Sequence, residues 1–225
     1  ENDRRFAYED SIRNAYIATF PRYIKDEQLA NFVEKSWGNH RTIIEFIKYA
    51  EKNGKRKMAV GLLSEISDKD LRDVSLAVLK DNLDNSVKGR GDIYNAYVLN
   101  PRVSNEMLVP YKKELSNYFD NVTKEDFKKN PQELVDWVKD SIKINDKLNA
   151  RSIVMAPTSV LRHRITDSRS RNIFFVSMAR SIGIPSRIDP VTAKVQYLKD
   201  NDWIDVRFEE EMVAAVPTQY ENNFY

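Results

Sequence analysis

Residues 167–187 read DSRSRNIFFVSMARSIGIPSR, and they are the most informative part of the chain. Nearly every position from Ile173 to Ala179 is apolar or small, which predicts a helix buried on all sides rather than one lying on the surface. Gly183 predicts the end of that helix, because glycine readily adopts the left-handed conformation of a C-terminal cap. Residues Ile184 to Ile188 then predict entry into a strand.

The residues after this strand predict an antiparallel sheet. Val195 and Tyr197 occupy alternate positions of one strand, and residues 203–208 form a second strand after the polar turn Lys199 to Asp202. A helix followed by antiparallel strands is typical of an α+β domain. We therefore predict an α+β core in which the buried helix packs on a small antiparallel sheet.

The N-terminal part of the chain predicts helices. Five segments carry apolar residues at three- and four-residue intervals: 6–20, 29–37, 43–50, 58–63 and 71–83. Pro21 and the pair Asn53-Gly54 predict the ends of two of these helices. The polar stretch 84–92 contains two glycines and predicts a linker. The predicted organisation is a helical N-terminal region over 1–88, a core over 92–217, and a tail over 218–225 that would lead into further domains.

The segment between the linker and the buried helix predicts mixed structure. Residues 93–103 are rich in Tyr, Val and Leu and contain Asn100-Pro101, which predicts a short extended element. Residues 110–119 and 131–142 predict two helices, the second with Pro131 at the favoured first-turn position. A shorter helix is predicted to begin near Ala156.

Composition excludes several classes of function. Lys and Arg number 36 against 34 Asp and Glu, for a net charge of +2, and no basic stripe with interleaved aromatics predicts nucleic-acid binding. The chain has no Cys, so it forms no disulfide and offers no thiolate nucleophile. Its two His residues lie far apart and do not predict a metal site. No apolar run approaches the length of roughly 20 residues that a transmembrane helix needs.

The end of the buried helix, Ser181-Ile182-Gly183-Ile184-Pro185-Ser186-Arg187, resembles the central motif of the transglutaminase-like superfamily. In that family a Cys opens a buried helix that runs into Leu-Gly-Ile-Pro-Ala-Arg and then a strand. The resemblance is strongest over residues 131–209, and it implies a papain-like α+β core. The segment Tyr94 to Leu115 resembles exported bacterial proteins that carry this domain. The resemblance implies a periplasmic protein or cell-surface lipoprotein, and the start at Glu1 leads us to expect that a signal or anchor has been removed.

Active members of the family carry a Cys at the helix start, a His on the next strand and an Asp on the strand after it. Ser168 stands at the Cys position here, no His occurs within residues 191–194, and Asp205 is the nearest match to the Asp. A hydroxyl without a neighbouring base is only weakly nucleophilic. The resemblance therefore implies vestigial positions at Ser168 and Asp205 and no catalytic residue.

Ser168 has other possible roles. It is a nucleophile if Lys194 supplies an amine base, as in Ser-Lys arrangements, or if the loop after His163 folds the imidazole back onto the hydroxyl. Alternatively, Asp167 or Ser168 is simply the N-cap of the helix, and His163 lies on the surface.

Five arginines lie around the motif and, if they face one groove, are suited to bind carboxylates or sulfates: Arg162, Arg164, Arg169, Arg171 and Arg187. The predicted ligand-binding cleft consists of His163, Asp167, Ser168, Arg169, Arg171 and Lys194. The favoured function is a non-catalytic module that binds a peptide or carbohydrate, or a scaffold within a larger exported protein. The alternative is an amide hydrolase or acyltransferase that uses Ser168. We expect no cofactor or metal ion, and the sequence leaves the oligomeric state open.

Overall fold

The computed structural model describes residues 2–19, 24–149, 151 and 153–208, which combine many helices with a small antiparallel sheet. This confirms the predicted α+β class. The helices are α1 Asn2–Thr19, α2 Glu27–Ser36, α3 His40–Lys52, α4 Arg56–Glu65, α5 Asp68–Asp73, α6 Leu76–Asn85, α7 Asp92–Tyr94, α8 Lys112–Ser116, α9 Asn121–Lys129, α10 Pro131–Ser141, α11 Pro157–His163 and α12 Ser168–Ile182. The strands are β1 Lys143–Ile144, β2 Ile165–Thr166, β3 Ser186–Ile188, β4 Val195–Lys199 and β5 Asp202–Asp205.

The N-terminal helices form their own apolar cluster. Side chains of α2 to α6 are buried together, including Phe46, Leu62 and Leu79. Ser67 and Ser75 cap α5 and α6 through their side-chain oxygens, since each accepts a hydrogen bond from a backbone N–H of the first turn. Helix α1 differs: its apolar residues Phe6, Tyr8 and Ile12 are exposed. Pro21, the predicted stop of that helix, lies outside the described residues.

The prediction of an extended element over residues 93–103 is wrong. Residues 92–94 continue as helix α7, and Asn95–Leu99 form a π-helical turn. Tyr94, Val98 and Leu99 pack into the N-terminal cluster, and the Tyr94 hydroxyl donates to the Val87 carbonyl at 2.6 Å. Tertiary packing of these side chains therefore outweighs the strand preference of Tyr and Val.

Helix α12 is the centre of a second apolar cluster, which also contains residues of α8 to α11 and of the sheet. Phe174, Phe175, Val176 and Met178 are fully buried, as the sequence predicted for an all-round apolar helix. Gly183 has φ +97° and caps the helix in the left-handed conformation, with its N–H donating to the carbonyls of Ala179 and Arg180.

Strands β3, β4 and β5 form an antiparallel sheet in that order. The turn between β4 and β5 lies where it was predicted: Lys199 ends β4, Asp202 begins β5, and Asp200 and Asn201 span the turn with φ of 51° and 70°. Val195 and Tyr197 are buried against the cluster around α12. A short parallel pair, β1 with β2, and helix α9 were not predicted.

Two of the helices predicted before the buried helix have different outcomes. The helix predicted over 110–119 covers only Lys112–Ser116, whereas the one predicted over 131–142 is confirmed as Pro131–Ser141.

Among the described residues, no helix combines the length and apolar character needed to cross a membrane.

Candidate functional site

Asp167 is the N-cap of α12. Its backbone is extended, with φ −84° and ψ 164°, and its carboxylate accepts hydrogen bonds from Ser170 N at 2.9 Å and from Ser170 Oγ at 2.7 Å. Asn149 Nδ2 donates to the same carboxylate at 2.8 Å. Burial raises the pKa of Asp167, but the hydrogen bonds from Ser170 and Asn149 outweigh it and hold the pKa below its usual value. The cap is thus Asp167 rather than Ser168.

Ser168 is the first residue of α12, and Asp146 binds it twice. Ser168 N donates to Asp146 Oδ1 at 2.7 Å, and Ser168 Oγ donates to Asp146 Oδ2 at 2.9 Å. The partner of the hydroxyl is therefore a carboxylate. Two carboxylates, Asp146 and Asp167, bind the free amides at the positive end of the helix dipole.

The β1–β2 pair holds Asp146 in this place. Lys143 N donates to the Arg164 carbonyl at 2.8 Å, and Asn145 N donates to the Thr166 carbonyl at 2.8 Å. These bonds bring the turn that begins at Asp146 alongside the residues that lead into α12. No local sequence pattern indicates this contact, because Asp146 and Ser168 are 22 positions apart.

The structure places Asp205 on the sheet face away from α12. Asp205 pairs with Gln196, which lies between the buried residues Val195 and Tyr197, so strand alternation turns Gln196 and Asp205 outward. Lys194 Nζ forms an ion pair with Asp205 Oδ2 at 2.5 Å, and Gln196 Nε2 donates to Oδ1 at 2.8 Å. The hydrogen bonds from Lys194 and Gln196 lower the pKa of Asp205.

One row of sheet positions that faces α12 carries apolar side chains. Ile188 pairs with Val195, and Val206 N donates to the Val195 carbonyl at 2.8 Å, so these three residues form a row across the sheet. All three pack in the cluster around α12. Phe208 extends this apolar surface along the helix, with its ring centroid 5.7 Å from that of Phe175.

The residues of the predicted cleft contact different parts of the protein. His163 is exposed at the end of α11. Arg169 donates to Asn105 Oδ1, and the guanidinium of Arg171 lies 4.2 Å from the centroid of the Phe208 ring. Lys194 is engaged with Asp205 on the outer face, as described above.

The other three arginines near the motif also contact the protein. Arg162 forms a two-point ion pair with Glu114 at 2.9 and 2.5 Å. Arg164 lies 5.1 Å from the ring centroids of both Tyr118 and Trp137. Arg187 stacks on Trp203 at 4.2 Å and pairs with Asp189 at 3.1 Å. Across the described part of the chain, no group of three metal-ligating side chains is found.

Comparison with known proteins identifies the domain built around this helix. The family model of the transglutaminase-like superfamily matches residues 113–208, which run from the second residue of α8 to three residues beyond β5. No curated protein and no solved structure matches the chain.

Proposed function

Since residues 113–208 form a domain of the transglutaminase-like superfamily, we propose that this domain keeps the family fold without cysteine catalysis. The chain would then act as a peptide- or carbohydrate-binding module, or as a scaffold within a larger exported protein. The absence of Cys supports this directly, because the thiolate is the family's nucleophile.

The bond between the Ser168 hydroxyl and Asp146 carries the proposal. Both oxygens of Asp146 bind the same residue, one through the backbone N–H and one through the hydroxyl, which is the arrangement of a structural cap. The apolar row facing α12 adds support, because Val195 and Val206 offer neither a base nor an orienting carboxylate there.

One observation favours the alternative, an amide hydrolase or acyltransferase that uses Ser168. The carboxylate of Asp146 lies 2.9 Å from the hydroxyl, which is within reach for proton transfer. A carboxylate is, however, a much weaker base than imidazole, since their ordinary pKa values are about 4 and about 6.5. Lys194 does not improve this alternative, because its amine pairs with Asp205 on the outer face.

A turnover assay separates the two functions. The purified chain and the Ser168→Ala variant are compared on chromogenic amide and ester substrates, with and without a primary amine as acyl acceptor. We expect equal rates at the background level, because the Ser168 hydroxyl is bound to the carboxylate of Asp146, which is only a weak base. Turnover by the parent chain that disappears in Ser168→Ala, with both proteins equally folded, would establish the hydrolase.

A binding screen tests whether the chain binds a peptide or a glycan. Arrays of acidic peptides and of sulfated or uronic-acid glycans are probed with the parent chain, with Arg169→Gln and with the control Arg41→Gln. Arg169 is exposed next to the start of α12, whereas Arg41 is exposed on α3 of the N-terminal region. We expect Arg169→Gln to weaken a captured ligand several-fold and Arg41→Gln to leave it unchanged. Equal binding by all three proteins would remove Arg169 from the proposed cleft.

A further inference from the structure

Two cations are buried where the N-terminal helices meet the transglutaminase-like domain. Lys112 on α8 is completely buried, and Arg180 on α12 is 3% exposed. Helix α8 packs against both α6 and α12, so Lys112 lies between the two apolar clusters. Lysine is almost never fully buried in proteins unless it is paired, which makes this residue conspicuous.

Arg180 is well supplied with acceptors. Its Nη1 donates to the carbonyls of Asn100 at 2.9 Å and Arg102 at 2.7 Å, and its Nε donates to the carbonyl of Ser186 at 2.9 Å. These bonds join the segment after the π-helical turn to strand β3. The guanidinium is therefore satisfied as a charged group in its buried position.

Lys112 has fewer hydrogen-bond acceptors than Arg180 to compensate a buried positive charge. Its Nζ donates to the carbonyl of Val98 in the π-helical turn, and within the described residues this is the acceptor found for it. An ammonium group has three donors, whereas a neutral amine is satisfied much more readily by a single acceptor. The site therefore suits the neutral form of Lys112.

The charged groups that act on Lys112 lie on α6 and α12, the two helices that pack most closely against α8. Asp81 of α6 caps α8, accepting from the backbone N–H of Tyr111 at 2.9 Å and Lys112 at 2.6 Å. Arg180 of α12 carries a like charge. Glu106 acts on Arg180, and both of its carboxylate oxygens are bound to backbone N–H groups. Burial and Arg180 lower the pKa of Lys112 to about 7, although Asp81 acts in the opposite direction.

We propose that Lys112 is a proton-sensitive latch between the two parts of the chain. As a neutral amine it fastens α8 to the π-helical turn Asn95–Leu99. Opening this contact exposes the amine to water, where it takes up a proton, so the opened form becomes more populated as pH falls. In the closed form the ammonium would be buried beside Arg180 with a single acceptor.

The direction of the pH dependence follows from linkage. The pKa of Lys112 is about 7 in the folded chain, against an ordinary value of 10.5. Between those values the unfolded chain binds one more proton than the folded chain, so stability from this group rises with pH. The unfolding constant should fall by about tenfold per pH unit in that window. Below it, both states are protonated, and the stabilisation is lost.

The test is urea unfolding of the full chain from about pH 6 to about pH 10, for the parent, for Lys112→Met and for the control Lys113→Met. Lys113 is the exposed neighbour on the same helix. We expect Lys112→Met to be stabilised relative to the parent at low pH and to lose the tenfold slope, whereas Lys113→Met should keep it. Parallel pH profiles for the parent and Lys112→Met would overturn the proposal.

Hydrogen exchange of the parent chain gives an independent readout that does not depend on the variant folding. After correction for intrinsic exchange rates, the amides of residues 95–100 and 111–116 should lose protection as pH falls from about 10 to about 7 and change little below that, whereas those of α3 should keep their protection across the range. Constant protection of these residues across the range would overturn the latch even if Lys112→Met failed to fold.

Discussion

Replacing Ser168 with alanine should cost the protein stability rather than activity. The change removes the bond from Ser168 Oγ to Asp146 Oδ2 at 2.9 Å but leaves the bond from Ser168 N to Oδ1 at 2.7 Å. Hydrogen bonds to charged groups contribute about 1.5–3 kcal/mol when buried, and partial exposure reduces this. The expected loss in the free energy of unfolding is therefore about 1 kcal/mol.

Asp146→Ala removes both bonds and should cost about 2 kcal/mol, because the first amide of α12 also loses its acceptor. The double variant Ser168→Ala/Asp146→Ala should be no less stable than Asp146→Ala alone. Once Asp146 is alanine, the Ser168 hydroxyl has no carboxylate to bind, so removing the hydroxyl costs nothing more. A double-mutant cycle should therefore give a coupling free energy of about 1 kcal/mol.

The assay is urea denaturation followed by circular dichroism, with Ser64→Ala as the control. Ser64 is an exposed helical serine whose hydroxyl donates to the Val60 carbonyl four residues earlier, so its loss should change stability by less than about 0.5 kcal/mol. A coupling near zero between Ser168 and Asp146 would refute the capping role. Unchanged stability together with lost turnover in Ser168→Ala would point instead to a nucleophile.

Two further predictions concern the ends of α12. Asp167→Ala should cost about 1–2 kcal/mol near neutral pH. Because the pKa of Asp167 is lowered below 3.8 by Ser170 and Asn149, the difference from the parent should shrink in urea titrations as pH falls below about 4. Gly183→Ala should lower the melting temperature, because φ is +97° and a Cβ would lie 2.6 Å from Val87 Cγ2. Gly38→Ala is its control, with nothing within 4 Å of the added Cβ.

The second half of the fold was predictable because its signals are local. The all-round apolar character of residues 173–179 indicated burial directly, and Gly183 marked the helix end that the structure shows. The alternation at Val195 and Tyr197 likewise identified which side chains of β4 are buried. In each case, the residues that form the pattern are close neighbours in the sequence, so the pattern can be recognised without knowing any tertiary contact.

One segment of the first half, residues 95–99, and the candidate site depend on contacts that are distant in sequence. Residues 95–99 have strand-forming side chains, yet Val98 and Leu99 gain more from packing in the N-terminal cluster as a π-helical turn. Strands β1 and β2 are two residues each, too short to show a period. The contact of Asp146 with Ser168 arises only when these strands pair, so no motif around Ser168 could have indicated it.

The capping of α12 suggests how such a domain keeps its fold without a catalytic thiol. A buried helix has free amides and a positive dipole end, which a thiolate would partly neutralise in an active relative. Here Asp167 binds Ser170 N and Asp146 binds Ser168 N, so two carboxylates meet the same requirement. These two bonds to backbone amides stabilise the helix start whichever side chain stands at position 168, and the Ser168 hydroxyl adds its own bond to Asp146. We infer that the Cys position could change to Ser with little loss of stability, because the negative charge comes from the cap and from the loop.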